Sequence, residues 1–449
     1  MTKIDPFRIF YQSFTGKGAL PLEPDDPYYV PILESNPEKD PILALWQRID
    51  LAESESVNLL TGFRGNGKST ELRRLKSYLE KKSDCQVFLV NMLDYVLMTK
   101  PVELSDFILS LMAALAGAVE KSDALDLAPL SQSYWKRLQV FLSSEVKFDK
   151  LDLDLRTPGI GGQLGLKLKT DPQFKTLIQK HLEGHLTRLV EDAGAFVDEL
   201  TEKIREQTKD PDKKVVLLVD SLEQLRGVGE DADLIYASVV ELFSGQAANL
   251  QFPKLHVVYT VPPYLNALAH NLGRSLGGHP ITQWPNIHIR SAENKLDEDG
   301  LSVLKNIVEK RYPQWQKILP DAFLTELARS SGGDLRDFFR LIRECLISLR
   351  TTRLSRPEAA MDDDMVNRVI RQLRNELLPI SDEDAQWLAR IHTTKKEGLR
   401  TDKDLPALAR FLDSNLIMNY LNGEPWYDVH PLLIDEIMDR RKKEPDQTQ

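Results

Sequence analysis

Short apolar runs alternate with stretches of helical period along most of the chain. "SVNLL" (56–60) reads as a buried strand, residues 68–81 set Leu72, Leu75 and Leu79 on one helical face, and "QVFLVNM" (86–92) is a second strand. Strand, helix and strand in that order make a parallel crossover unit. "KKVVLLVDSLEQL" supplies a third strand at 214–220, "KLHVVYTVPP" a fourth at 254–260, and "NIHIRS" a fifth at 286–290. Residues 102–143 are predicted helical, with Leu104, Phe107, Leu109 and Leu111 on broad apolar faces.

Between these segments the period changes. "EVKFDKLDLDLRT" and "GQLGLKLKT" alternate apolar and polar residues around "PGIGG", the pattern of a hairpin. Residues 172–207 return to helical period through Leu182, Leu186, Leu189, Ala193, Val197, Leu200 and Ile204, predicting one long amphipathic helix. Its apolar face either packs against its own domain or serves a partner as a coiled coil. Hairpin and helix together are expected to form an insertion over about 145–207. From 297 onward the pattern is helical until "LIMNYLNGEPWYDVHP", where two apolar runs flank Asn422-Gly423 and predict a second hairpin. The expected division is an extended arm at 1–40 with much Pro and Asp, a sheet domain at 41–292, a helical region at 293–378, a further small domain at 379–442, and a polar tail at 443–449.

Composition narrows the class. The 449 residues suffice for two or three cores, and their apolar and charged fractions are those of a soluble globular protein. No apolar run has the length a membrane helix requires, and "MTKIDPFRIFYQSF" lacks a signal-peptide pattern, so a cytoplasmic protein without membrane contact is expected. A net charge of −10 argues against a non-specific nucleic-acid coat. Cys85 and Cys345 lie far apart without metal-ligand spacing and are expected to be buried thiols.

The strongest chemical signal is "TGFRGNGKST" (61–70), which matches G-x-x-x-x-G-K-[ST] at Gly62, Gly67, Lys68 and Ser69. Phosphates are held well by several backbone N–H groups in one concavity, aided by the partial positive charge of a helix N-terminus. Side chains obstruct that approach, which explains the glycines; Gly62, Arg64, Gly65, Asn66, Gly67, Lys68, Ser69 and Thr70 are the candidate nucleotide-binding residues. Lys68 brings a full charge to the β- and γ-phosphates, and Ser69 a hydroxyl to Mg²⁺, which takes few, hard oxygen ligands. Asp220, ending the apolar strand "VVLLVD", is the second candidate metal ligand and a catalytic candidate. Ser221 follows it where many hydrolytic P-loop proteins carry an acid, so Glu223 is the candidate for orienting the attacking water; alternatively it is an exposed acid in the first turn of a helix.

These residues, with Thr260 ending the fourth strand and "GGDLRDFFRLIRE" after the helical region, resemble an AAA+ ATPase, in the branch shared by origin-recognition and STAND ATPases. The resemblance spans about 40–440 without the insertion. It implies an α/β P-loop NTPase fold: a parallel five-stranded sheet of order 5-1-4-3-2, a helical lid and a C-terminal winged helix. It further implies ATP or ADP with Mg²⁺ as cofactors, Thr260 as sensor 1 and Arg336 as sensor 2. "DVHPLLIDEI" is similar to the Met-His-Asp motif whose histidine contacts the β-phosphate of ADP, which would give that role to His430, although Val429 and Pro431 replace the flanking residues. Ring-forming members use a neighbour's arginine near the end of the helix before the fourth strand. Here "LFSGQAANLQFPK" holds none, while Arg274 and Arg290 lie further on.

Three functions stay open. The leading one is an ATP-hydrolysing switch, slow or stimulated by a partner or effector protein, with self-association and a setting in bacterial signalling or antiviral defence. The second is a DNA loader or transposition-type ATPase, against which "DLPALARFLDSN" sets only Arg410 beside Asp404 and Asp413. The third is a scaffold that binds nucleotide without hydrolysis. "DPYYVP" (26–31) is a candidate aromatic contact for adenine.

Overall fold

The computed structural model describes residues 5–443 apart from 34–36, 123–124, 146–166, 168, 183, 228, 269–271, 277, 397, 399–403 and 422–424. Most of the expected hairpin at 145–170, the Asn422-Gly423 turn and most of the polar tail fall outside the described residues; the described ends of that hairpin, Glu145, Lys167, Lys169 and Thr170, are helical where strand was expected. The chain divides into two units: one of 40–61 and 74–283, the other of 1–39, 62–73 and 284–449.

The first unit is built on a sheet. In chain order it contains α2 (Pro41–Leu51), which follows α1 of the other unit (Pro6–Gln12), then β1 (Ser56–Thr61), most of α3 (Lys68–Lys82), β2 (Gln86–Asn91), α4 (Leu104–Glu120), α5 (Ala128–Glu145), α6 (Pro172–Leu182) and α7 (Leu186–Thr208). There follow β3 (Val215–Asp220), α8 (Ala232–Val240), β4 (Leu255–Val261), α9 (Pro263–Leu268), α10 (Leu272–Ser275) and β5 (Thr282–Gln283). The five strands are parallel in the order β2-β3-β4-β1-β5, the predicted order read from the opposite edge. Every residue of β3 and β4 is buried, as expected of central strands covered on both faces. α4 is buried on nearly every side, and its Phe107 meets the rings of Phe243 and Tyr259 at 6.3 and 6.1 Å.

Two elements of this unit differ from expectation. The predicted single helix over 172–207 is two, α6 and α7, with Gly184 between them, where the lack of a side chain weakens a helix. The fifth strand is Thr282–Gln283 and not 286–290. The alternation of Ile287 and Ile289 instead feeds the core of the other unit, where both are buried.

The second unit continues with α11 (Glu298–Arg311), α12 (Asp321–Ser331), α13 (Leu335–Thr352) and α14 (Asp363–Glu376). Leu304, Leu324, Phe338, Ile342 and Leu346 of these helices make its core together with Ile287 and Ile289. The N-terminal arm is not simply extended: Asp5 accepts from the Phe7 amide and Pro6 occupies the first turn, starting α1. Phe10 and Phe14 then enter the same core, and the buried Arg311 guanidinium lies 4.8 Å from the Phe339 ring and donates to the Tyr28 carbonyl at 3.2 Å. The chain ends in α15 (Asp382–Thr394), α16 (Leu405–Asp413), β6 (Ile417–Leu421), β7 (Pro425–Val429) and α17 (Ile434–Lys443). β6 and β7 pair antiparallel on either side of the predicted turn. Among the described residues no helix is long and apolar enough to cross a membrane. Both cysteines are buried and free, and burial raises their thiol pKa values to about 11 for Cys85 and about 12 for Cys345.

Because Ile289 belongs to a packed core, Ile289→Ala should cost about 2–5 kcal/mol in urea unfolding. A loss below about 1 kcal/mol would instead fit a poorly packed, solvent-facing position.

Candidate functional site

β1 delivers the chain directly into the glycine loop, and α3 begins at Lys68. Gly65 and Gly67 have φ of 81° and 92°, a backbone that side-chain-bearing residues rarely adopt. Gly65 has a second constraint: a Cβ placed there would lie 2.6 Å from Cβ and 2.7 Å from Nε of Arg336. The predicted sensor arginine, at the start of α13, therefore runs alongside the loop.

The loop is fixed within its own unit by residues far along the chain. The Trp284 indole donates to the Asn66 carbonyl at 2.9 Å, and the Asn66 amide donates to the Trp284 carbonyl at 3.3 Å. Lys68, 3% exposed, donates to the carbonyls of Gly62 (2.7 Å) and Phe63 (2.5 Å). Its ammonium is thus held inside the loop it would share with phosphate oxygens. Arg64 pairs with Asp413 of α16 at 2.7 Å. The Thr70 hydroxyl accepts from the Leu22 amide at 3.1 Å, and the Tyr29 hydroxyl donates to Glu71 at 3.3 Å, so the arm lies along the first turn of α3. A glycine loop with positive φ, a buried lysine and a helix N-terminus suits a chain of phosphates.

Next to Arg336, Asp334 caps α13 by accepting from the Asp337 amide at 3.0 Å. Its second oxygen is buried without a hydrogen-bond partner. Burial, then the negative charge of Asp337, pushes the Asp334 carboxyl up to about 7. His430 is fully buried; its Nδ1 accepts from the Leu432 amide at 3.3 Å, which leaves Nε2 to carry the proton toward Asp337 Oδ2 at 3.3 Å. Both ring nitrogens of the candidate phosphate-sensing histidine are therefore engaged by protein groups. Arg290 donates to the buried Asp428 at 2.8 Å and is anchored in its own unit.

The remaining candidates belong to the sheet unit. Asp220 ends β3 opposite Asn91 of β2, is 8% exposed, and accepts from the Ser221 amide at 2.7 Å. Ser221 itself has φ of 75°, a left-handed backbone at a non-glycine residue, of the kind that clusters at functional sites. The Thr260 hydroxyl accepts from the Leu222 amide at 3.0 Å and donates to the Val219 carbonyl at 3.2 Å, so it clips the turn that presents Asp220. Glu223 is not an exposed acid in the first turn of a helix: it is buried, within a 3₁₀ turn at Leu222–Gln224. Among the described residues no group of three or more His, Cys, Asp or Glu is placed to hold a metal. Nothing in the sequence signals a site role for Trp284 or Asp334, and Asp413 stands out there only as an acid unfavourable to DNA; the loop contacts of Trp284 and Asp413 join positions more than 200 residues apart.

No protein-family model matches the chain, and no curated protein is similar to it in sequence. Among solved structures it is similar to the ADP form of the ORC2 protein of Aeropyrum pernix, at 11% identity and a TM-score of 0.41 over 97% of each chain. It is also similar to the Aeropyrum pernix ORC1 protein in complex with DNA, at 13% identity and a TM-score of 0.33 over 93% of this chain and 96% of that one. A third is the RuvB Holliday junction branch migration motor of Thermotoga maritima, at 15% identity and a TM-score of 0.32 over 90% and 88%.

The raised Asp334 carboxyl has a stability consequence. A carboxyl protonated more readily folded than unfolded loses folding stability as pH rises from its unfolded value toward its folded one. Asp334→Asn keeps the cap and removes the charge, so it should be more stable than the parent at pH 8 and lose that advantage toward pH 4. Equal stability of the two proteins across that range would contradict this.

Proposed function

We propose that the chain is an AAA+-type nucleotide-binding protein that takes ATP or ADP with Mg²⁺ on the loop Gly62–Gly67 and the first turn of α3. The observation that supports it best is the loop itself, with Lys68 buried among its carbonyls and Arg336 laid along Gly65. Backbone N–H groups and the α3 dipole would hold the phosphates, Lys68 would turn from carbonyl to phosphate oxygens, and Arg336 would add a planar, permanently charged fork. The metal would be held by Ser69 and Asp220, an assignment that rests on their sequence motifs, with waters and phosphate oxygens completing its shell. Bound Mg²⁺ supplies charge neutralisation along the phosphates.

For hydrolysis, Glu223 is the proposed base or water-orienting group, and its burial favours that role over a solvated surface acid. Thr260 is proposed to act by positioning, since its hydroxyl already binds two main-chain groups. With Ser221 in place of an acid beside Asp220, turnover is expected to be slow or to depend on a partner. The leading reading is a switch in which nucleotide state sets the posture of the lid and of the C-terminal helix–hairpin segment, read as a winged helix, and a partner protein responds. Antiviral defence is one setting consistent with such a switch.

The DNA-loader reading has weaker support. The one cation on α16, Arg410, is paired with Asp384 at 2.7 Å, and Asp413 adds negative charge at the same helix. An ATP-dependent DNA affinity that falls steeply with salt would favour it. An absence of phosphate release, with and without partners, would favour the scaffold reading.

Removing the Lys68 charge costs hydrogen bonds to charged groups worth about 1.5–3 kcal/mol each, so Lys68→Ala should weaken ATP–Mg²⁺ binding by roughly 10–100-fold in titration calorimetry. Unchanged affinity would overturn the proposed site.

A further inference from the structure

The Arg64–Asp413 pair joins the glycine loop to the end of a helix 349 residues later. Both side chains are largely covered, at 15% and 7% exposure, and their separation is 2.7 Å. Asp413 is the last residue of α16, where the helix dipole disfavours a carboxylate. Local helix energetics therefore do not account for an acid at this position, whereas a guanidinium 2.7 Å away does. Arg64 precedes Gly65, the residue that Arg336 abuts, so one dipeptide of the loop receives both the lid helix and α16. The C-terminal segment also grips the lid: the Tyr420 hydroxyl donates to the Gly332 carbonyl at 2.8 Å, and His430 faces Asp337.

From this geometry we infer that Arg64–Asp413 is a latch opened by nucleotide: a triphosphate on the loop competes with the Asp413 carboxylate for the Arg64 guanidinium and frees the end of α16. The inference rests on the nucleotide reading above and names the contact through which that reading would reach the C-terminal segment. Asp413 carries one negative charge and a triphosphate several, and a guanidinium fork satisfies phosphate oxygens as well as a carboxylate. Competition for one group makes the two events mutually unfavourable, so the coupling runs both ways. Nucleotide should loosen α16, and loss of Asp413 should tighten nucleotide.

The test uses the full chain, as wild type and as Asp413→Asn, with ATP–Mg²⁺ affinity read by calorimetry and amide exchange read over 404–413. Wild-type exchange over that segment should accelerate on adding ATP–Mg²⁺. In Asp413→Asn it should be fast without nucleotide, and ATP–Mg²⁺ should bind roughly fivefold tighter or more. Wild type that binds ATP–Mg²⁺ with no change in exchange over 404–413 overturns the latch and leaves the nucleotide site standing. Wild type that binds no nucleotide overturns both. Should Asp413→Asn fail to fold, the wild-type exchange comparison decides by itself.

Discussion

Everything proposed for this protein depends on keeping a short stretch of backbone in a conformation it would not choose alone. A loop with two left-handed glycines, curled around a buried ammonium, is costly in chain entropy. It persists because other parts of its own unit hold it: Trp284 and Asn66 exchange hydrogen bonds, Arg336 fills the space beside Gly65, and Asp413 pairs with Arg64. Such preorganisation is what an anion site needs, since a backbone already held in place loses little freedom when charge arrives, even though the Lys68 and Arg64 side chains would exchange partners.

On the proposed reading, the same contacts would let the loop report on what it holds. Lys68 and Arg64 are cations whose partners include two carbonyls and a carboxylate, groups of the kinds that phosphate oxygens can replace. Under the latch inferred above, a ligand that exchanges those partners would change the bonding of α16 as well as its own. In the sheet unit the Thr260 clip and the left-handed Ser221 hold Asp220 at the end of β3 in a comparable way. There the hydroxyl is committed to the main chain, so its contribution to any chemistry is through geometry.

Much of this was legible along the chain, for physical reasons that also mark the limits. Strands β3 and β4 announce themselves because central parallel strands are buried on both faces and so mostly apolar, β1 and β2 by their shorter apolar runs, and the glycine loop because its backbone demands leave few residue types. Residues 286–290 misled because alternation signals one buried face without saying what covers it; here Ile287 and Ile289 share a core with residues of helices α11 to α13. The true edge strand, Thr282–Gln283, is too short to leave a pattern. The burial of Glu223 depends on a 3₁₀ turn where a longer helix was expected. Asp413 looked like a charge unfavourable to DNA, and its partner in the loop, 349 residues away, had no local signature.

The central claim, that phosphates are held by the backbone of this loop, is tested most directly by amide exchange over 62–70 with and without ADP–Mg²⁺. The account predicts slowed exchange concentrated from Gly65 to Ser69, where N–H groups would turn to phosphate oxygens. Binding of ADP–Mg²⁺ with protection elsewhere, and none at these amides, would contradict it.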